Sequence, residues 1–296
     1  MFKRLLDHVL TFILFILVLP FLFLFFLFLI FQKSLFRNWS IWKQSKSESQ
    51  ESKVLGVPFY NNDAQSATER IKKDLFEQEL KTYFFINPHA MNISMRDKSF
   101  YEILKGNNRN LPDGIGIKMA GIFMGYRLVQ NLNGTDLFPL LAEMLEQEGK
   151  SLYLLGAKEG VAEQMKANVE RQWSALNILG VHNGYFDKVA STDKVIDEIN
   201  RLNPDVLLVA FGMPTQEKWI HDHRDRINAK IVFALGGLFD FYSNMKPRAP
   251  EAWRQIGMEW AYRLLTEPKR LWKRYLIGNP LFIVHVLKWR YLGYNK

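Results

Sequence analysis

The chain has no cysteine among its 296 residues. That excludes structural disulfides, zinc–thiolate sites and thiol nucleophiles together, and fits a reducing compartment. A Walker loop and the GxGxxG fingerprint are also missing, so neither a P-loop nor a dinucleotide-binding turn is on offer. No Asp-x-Asp closes an apolar run to hold a divalent ion on a nucleotide diphosphate, and there is no internal repeat. Neither a metal nor a cofactor is expected. His221-Asp222-His223 offers metal-ligand chemistry, but inside a predicted helix such near neighbours face different ways, so they read as surface or packing residues.

What is present is apolar mass and positive charge. Hydrophobic residues make up 48% of the chain and the net charge is +9, enough for one large or two small domains with real cores. The charge is concentrated at the end: Lys246 to Lys296 holds eleven Lys or Arg against three Glu, a local excess of eight. Such a surface suits anionic lipid, pyrophosphate or nucleic acid. Nucleic acid is set aside, because no recognised motif supports it and it leaves the N-terminal apolar run unexplained.

Val9 to Phe31 has no charged residue and is long enough for a transmembrane helix, although Leu19-Pro20 can also turn it into a re-entrant hairpin. Residues 1–43 are therefore read as a membrane anchor, and residues 44–53, polar and low in complexity, as its linker. Residues 54–245 read as a Rossmann-like α/β domain: a mostly parallel sheet with helices on both faces. Helical patterns are expected over Ala64–Leu80, His89–Leu104, Asp136–Glu148, Val161–Trp173, Ser191–Leu202 and Thr215–Ile227. Strands are expected over Tyr83–Ile86, Leu152–Leu155, Asn177–Val181, Val206–Phe211 and Ile231–Leu235. Residues 246–296 read as a helical, basic and aromatic membrane-associating appendage, with helices over Trp253–Leu265, Lys269–Ile277 and Leu281–Tyr291. If a helix continues through Pro268, Arg263, Arg270 and Lys273 share one face.

The chemistry is expected at strand ends. Two short apolar runs finish in Asn87-Pro88 and in Pro112-Asp113-Gly114-Ile115-Gly116, and Asp113, held on a tight turn, is the leading catalytic candidate. Asn133-Gly134-Thr135-Asp136 opens a helix, where Thr135 or Asp136 can cap while free N–H groups meet an oxygen. Gly156, Gly236 and Gly237 mark strand-to-loop turns with room for a ligand. Gly212-Met213-Pro214-Thr215-Gln216-Glu217 ends another strand: Gly212 and Glu217 are expected to meet substrate, although Glu217 can instead complement the helix dipole, and Gln216 is free for the cleft.

Taken in order, Pro112-Asp113-Gly114-x-Gly116, Asn133-Gly134-Thr135-Asp136, Gly212-x-Pro214-x-Gln216-Glu217, Gly236-Gly237, Arg248-Ala249-Pro250 and Glu259-Trp260-x-Tyr262-Arg263 through Arg270 resemble the WecG/TagA/CpsF glycosyltransferases. The resemblance runs from about Val54 to Ile277. It implies an inverting, metal-independent enzyme that moves a hexose or N-acetylhexosamine-type sugar from a UDP donor to a polyprenyl-pyrophosphate-linked saccharide, in the assembly of cell-surface polysaccharide. It also implies work at the cytoplasmic face of a bacterial plasma membrane, in contact with lipid, with a homo-oligomer left open. Asp113 corresponds to the general base, Gln216 and Asn87 to active-site polar residues, and Arg263, Arg270 and Lys273 to the cations that meet pyrophosphate. Phe85 stands where the family often has Thr, and Lys273 where Arg is commoner, which keeps charge but loses a bidentate fork. The first 40 or so residues resemble the membrane hairpin of monotopic polyprenol-phosphate sugar-phosphate transferases. Two other readings stay open: a non-catalytic membrane-tethered scaffold and a nucleotide-sugar modifying enzyme.

Overall fold

The computed structural model describes residues 52–293. The anchor expected at residues 1–43 lies outside them, as does most of the linker. Ser52 and Lys53, assigned to that linker by composition, instead form strand β1 (Ser52–Val54), which pairs antiparallel with β2 (Val57–Phe59). Among the described residues no helix is long and apolar enough to cross a membrane.

The centre is a six-stranded, all-parallel sheet in the order β4-β3-β8-β7-β5-β6. Its strands are β3 (Lys81–Ile86), β4 (Asn110–Pro112), β5 (Ser151–Gly156), β6 (Asn177–His182), β7 (Val206–Ala210) and β8 (Ile231–Ala234). Four of them are near-continuous apolar runs, as strands covered on both faces must be. Alternate residues divide between two cores. Tyr83, Phe85, Leu152, Leu154, Leu208 and Phe233 enter one, whereas Phe84, Ile86, Tyr153, Leu155, Val209 and Val232 enter the other.

Helices α1 (Ala64–Asp74), α5 (Gly134–Gln147), α6 (Val161–Gln172) and α9 (Leu238–Tyr242) cover the first face. The second is covered by α2 (Pro88–Ser94), α3 (Lys98–Gly106), α4 (Ile115–Met124), α7 (Thr192–Leu202) and α8 (Thr215–His223). The α/β alternation expected from sequence is present, with local differences. The pattern over His89–Leu104 splits into α2 and α3 because Asp97 caps a new start, accepting from the Phe100 N–H at 3.0 Å. Helix α4, apolar throughout apart from Lys118, was passed over by the sequence pattern.

The C-terminal segment differs most. It forms α10 (Glu251–Gln255), α11 (Glu259–Thr266), α12 (Pro268–Trp272), a π-helical turn over Lys273–Ile277, and α13 (Gly278–Leu292). Gly278-Asn279-Pro280 does not interrupt it: Pro280 falls in the first turn of α13, where its missing N–H costs little. Helix α13 packs on α2 and α4, with Phe282 and Val286 fully buried in the second core and Asn92 Nδ2 donating to the Gly278 carbonyl at 2.6 Å. Phe282→Ala should therefore destabilise the protein by about 3–5 kcal/mol. The check is the urea midpoint, which falls while the slope of the transition stays unchanged.

Candidate active site

A cleft of about 340 Å³ opens outside the carboxyl ends of β4, β3, β8 and β7, where open α/β sheets place their ligands. Asn87 and Asp113 are the residues that follow β3 and β4. Because Ile86 pairs with Pro112, and the Asp113 N–H donates to the Ile86 carbonyl at 2.8 Å, the two side chains stand side by side. Asn87 caps α2, accepting from the Ala90 N–H at 2.9 Å through Oδ1, which turns its Nδ2 toward Asp113 Oδ2 at 3.1 Å. After Asp113 the chain turns at Gly114, whose φ of +91° few residues with a side chain adopt, and its N–H is held by Asn131 Oδ1 at 2.6 Å.

Across the cleft, α8 delivers Gln216, which is 1% exposed. Its Oε1 accepts from the Gly212 N–H at 3.0 Å and its Nε2 donates to Glu217 Oε1 at 2.8 Å, so the amide orientation is fixed and the second Nε2 hydrogen is free. Gly236 abuts this amide so closely that a Cβ would lie 3.0 Å from Gln216 Oε1.

Four carboxylates line the cleft, and three are tied to cations. Asp136 is paired with Arg248 and lies 3.6 Å from Arg254; Asp240 is 2.5 Å from Lys246; Glu259 is 4.0 Å from Arg248. Among the described residues, Asp113 is the lining carboxylate with no ion pair. The lining arginines divide the other way. Arg270 is held by Glu267 at 2.6 Å, whereas among the described residues Arg263 and Arg274 have no carboxylate partner and the buried Arg263 Nε has no acceptor. They rest instead over aromatic rings, Arg263 at 5.3 Å from Phe241 and Arg274 at 5.6 Å from Tyr275. Burial, with repulsion from Arg263 and Arg270, lowers Arg274 from its ordinary value, opposed by Tyr275 and Asp113. Burial and the Arg274 charge push His89, also in the cleft, down to about 4, so it stays neutral near pH 7. Glu259 is raised by burial first, against the pull of Arg248 and Arg263.

Of the residues expected from sequence, Asn87, Asp113, Asn133, Gly134, Thr135, Asp136, Gly212, Gln216, Gly236, Gly237, Arg263 and Arg270 all line this cleft. The cap of α5 is Asn133, accepting from the Asp136 N–H at 2.9 Å, rather than Thr135 or Asp136. Three residues are elsewhere. Gly156 ends β5 beyond β7, where a Cβ would meet the Ala210 backbone at 2.5 Å; it serves strand packing. Glu217 lies behind Gln216, 1% exposed, with Oε2 unpartnered. Lys273 is exposed beside the Trp272 ring, and the next residue, Arg274, takes the inward position. Glu267 breaks the helix at φ −130°, so the assumption of one continuous face through Pro268 fails. Arg254, Glu259, His89 and Arg274 were not singled out as site residues, although three of them lie in the basic C-terminal segment. Phe85, standing where a hydroxyl was expected, also lines the cleft. His221 and Asp222 are exposed and His223 stacks on Trp219; no group of three His, Asp or Glu side chains able to hold a metal exists among the described residues.

The profile of the WecG/TagA/CpsF glycosyl transferase family matches residues 52–296. The chain belongs to that family. It is accordingly an enzyme, a glycosyltransferase of the hexosyl-transferring kind, which removes the scaffold and sugar-modifying readings. Relatives carry the name N-acetylglucosaminyldiphosphoundecaprenol N-acetyl-beta-D-mannosaminyltransferase. One from Bacillus subtilis (strain 168) is 31% identical over 236 residues, covering 79% of this chain and 90% of the relative. Another, from Bacillus spizizenii, is 34% identical over 202 residues, covering 68% and 77%. A third, from Staphylococcus aureus (strain MRSA252), is 26% identical over 247 residues, covering 83% and 95%.

Burial pushes the Glu217 carboxyl up from 4.5 to about 7, partly offset by the hydrogen bond from Gln216. The folded protein thus keeps a proton that the unfolded chain releases near 4.5, and stability falls as pH rises from there to about 7. Glu217→Gln should flatten this dependence, removing a slope that totals at most about 3 kcal/mol. Urea midpoints of the two proteins across that pH range are the check.

Proposed function

We propose that this enzyme transfers a hexose or N-acetylhexosamine-type sugar, with inversion, from a UDP donor to a saccharide carried on polyprenyl pyrophosphate. The observation that carries the reading is that one cleft holds a carboxylate, Asp113, and two guanidinium groups, Arg263 and Arg274, none of which has an ion-pair partner among the described residues. The names of the relatives support the acceptor, since they describe transfer onto a sugar linked to undecaprenyl diphosphate. The donor nucleotide is inferred from the resemblance of the motifs.

Asp113 takes the proton of the acceptor hydroxyl as its oxygen attacks the anomeric carbon. The bond from that carbon to the phosphate oxygen breaks on the opposite face, and UDP departs with the electron pair. A positioned base contributes about 10²–10⁴ in rate. Asn87 orients the carboxylate, and Gln216 offers its free N–H to a substrate oxygen. The departing diphosphate collects negative charge beside Arg263 and Arg270, and such preorganised donors contribute a few kcal/mol each. We further place the catalytic domain at the cytoplasmic face of a bacterial plasma membrane, tethered through the apolar run Val9–Phe31 and in contact with lipid.

Asp113→Asn should lower turnover by about 10²–10⁴-fold and leave UDP affinity within about twofold of the parent. The assay is acceptor-dependent UDP release by purified protein with a panel of UDP-sugars, and release should survive EDTA. If UDP affinity collapses together with turnover, Asp113 binds donor and is not the base.

A further inference from the structure

Helix α4 starts inside the cleft and leaves it. Ile115 lines the site beside Asp113 and Gly114, and Met119 and Ile122 follow on the same helical face, at i+4 and i+7. These three are exposed by 36%, 39% and 48%, while Ile117 and Ala120 on the opposite face are fully buried. The helix is therefore apolar on its solvent side as well as its core side, with Lys118 its one charged residue and no acidic one. At the rim, Ile256, 68% exposed, precedes Gly257, which packs on Ile115 so tightly that a Cβ would come within 2.8 Å of the Ile115 Cδ1.

An apolar track of about 10 Å thus runs outward from a cationic pocket. The pocket holds two guanidinium groups without carboxylate partners among the described residues, and the one charge along the track is the exposed Lys118, which attracts an anionic head and lays its own methylene stem along an alkyl chain. A ligand that satisfies both is an amphiphile with an anionic head and an extended apolar tail. We infer that the exposed face of α4 (Ile115, Met119, Ile122) is the seat of the first isoprene units of the acceptor lipid, whose pyrophosphate lies against Arg274. This rests on the acceptor reading above and adds where the tail runs. An isoprenoid tail laid on these side chains removes apolar surface from water on both partners, so affinity rises with tail length until the track is covered. The seat also gives a reason for an exposed apolar helix face at the mouth of a polar cleft.

The test is calorimetric binding of inorganic pyrophosphate, geranyl pyrophosphate and farnesyl pyrophosphate to the full chain, exchanged into amphipol so that no free micelles compete. The parent protein should bind farnesyl pyrophosphate about tenfold or more tighter than inorganic pyrophosphate, with geranyl pyrophosphate between them. In Met119→Gln/Ile122→Gln, which keeps good helix formers on the surface, that gain should shrink to about twofold, while inorganic pyrophosphate binds as before. Three outcomes overturn the inference. The parent binds inorganic pyrophosphate with no gain from a tail, in which case the head-group reading stands and the track is wrong. The variant keeps the full gain but loses sedimentation with anionic vesicles, which makes the face a bilayer contact. The variant keeps the gain and dissociates from a dimer, which makes it an interface between copies. Failure of inorganic pyrophosphate itself to bind strikes the acceptor reading first.

Discussion

The site depends on a register. Ile86 pairs with Pro112 across two parallel strands, so the next residue of each, Asn87 and Asp113, must be neighbours, within reach of the hydrogen bond between them at 3.1 Å. A slip of one residue would move Phe84 and Phe85 to opposite faces and destroy both cores. The chemical pair is thus held by the hydrophobic pattern of β3, the stiffest constraint available. Asn87 also caps α2, so the group that orients the carboxylate is fixed from two sides. Preorganisation of this kind removes the cost of arranging the proposed base when substrate arrives.

Charge in the cleft is sorted rather than neutralised. Lys246, Arg248 and Arg254 occupy Asp240, Asp136 and Glu259 as partners, which leaves Asp113 without an ion pair and Arg263 and Arg274 without a carboxylate partner among the described residues. Arginines that repel one another and are partly removed from water cost stability unless something anionic joins them. The rings of Phe241 and Tyr275 offset part of that cost without offering a carboxylate, so the cations remain available to a ligand. An acidic partner in either place would stabilise the fold and weaken the binding of a diphosphate.

The alternation of strand and helix, and the strand ends at Asn87, Asp113, Gly212 and Gly236, were legible because burial on both sheet faces writes itself as apolar runs closed by breakers. The order of strands was not, since β7 and β8 insert between β5 and β3 through contacts distant in sequence. Gly156 illustrates the difference: it ends a strand like the others, but its strand lies on the far side of β7, and only the order reveals that. Glu217 was misplaced because a residue in the first turn of a helix reads as a dipole partner, whereas here it is buried behind Gln216. The position of Arg274 was illegible for a third reason. Helical spacing carries no information across Glu267, where the backbone leaves the helix, or through the π-helical turn that begins at Lys273.

That π-helical turn links the catalytic electrostatics to the core. Arg274 sits within it, and the chain runs from there without interruption into α13, whose Phe282 and Val286 are fully buried against the second face of the sheet. A guanidinium on a free surface helix would spend its rotamer and backbone entropy each time it met a diphosphate. Here the entropy of the segment is lost on folding, through apolar packing two turns away from the charge. The Asn92 amide adds a polar clamp at Gly278, between the cation and the apolar anchor. Helix α2, which carries Asn92, is itself capped by Asn87, so Asp113, the proposed base, and the segment that carries Arg274 are tied to one short helix through Asn87 and Asn92. Distance between the two charges is then a property of the packed core, and substitutions that loosen α13 should change the alignment of leaving group and nucleophile before they unfold the protein.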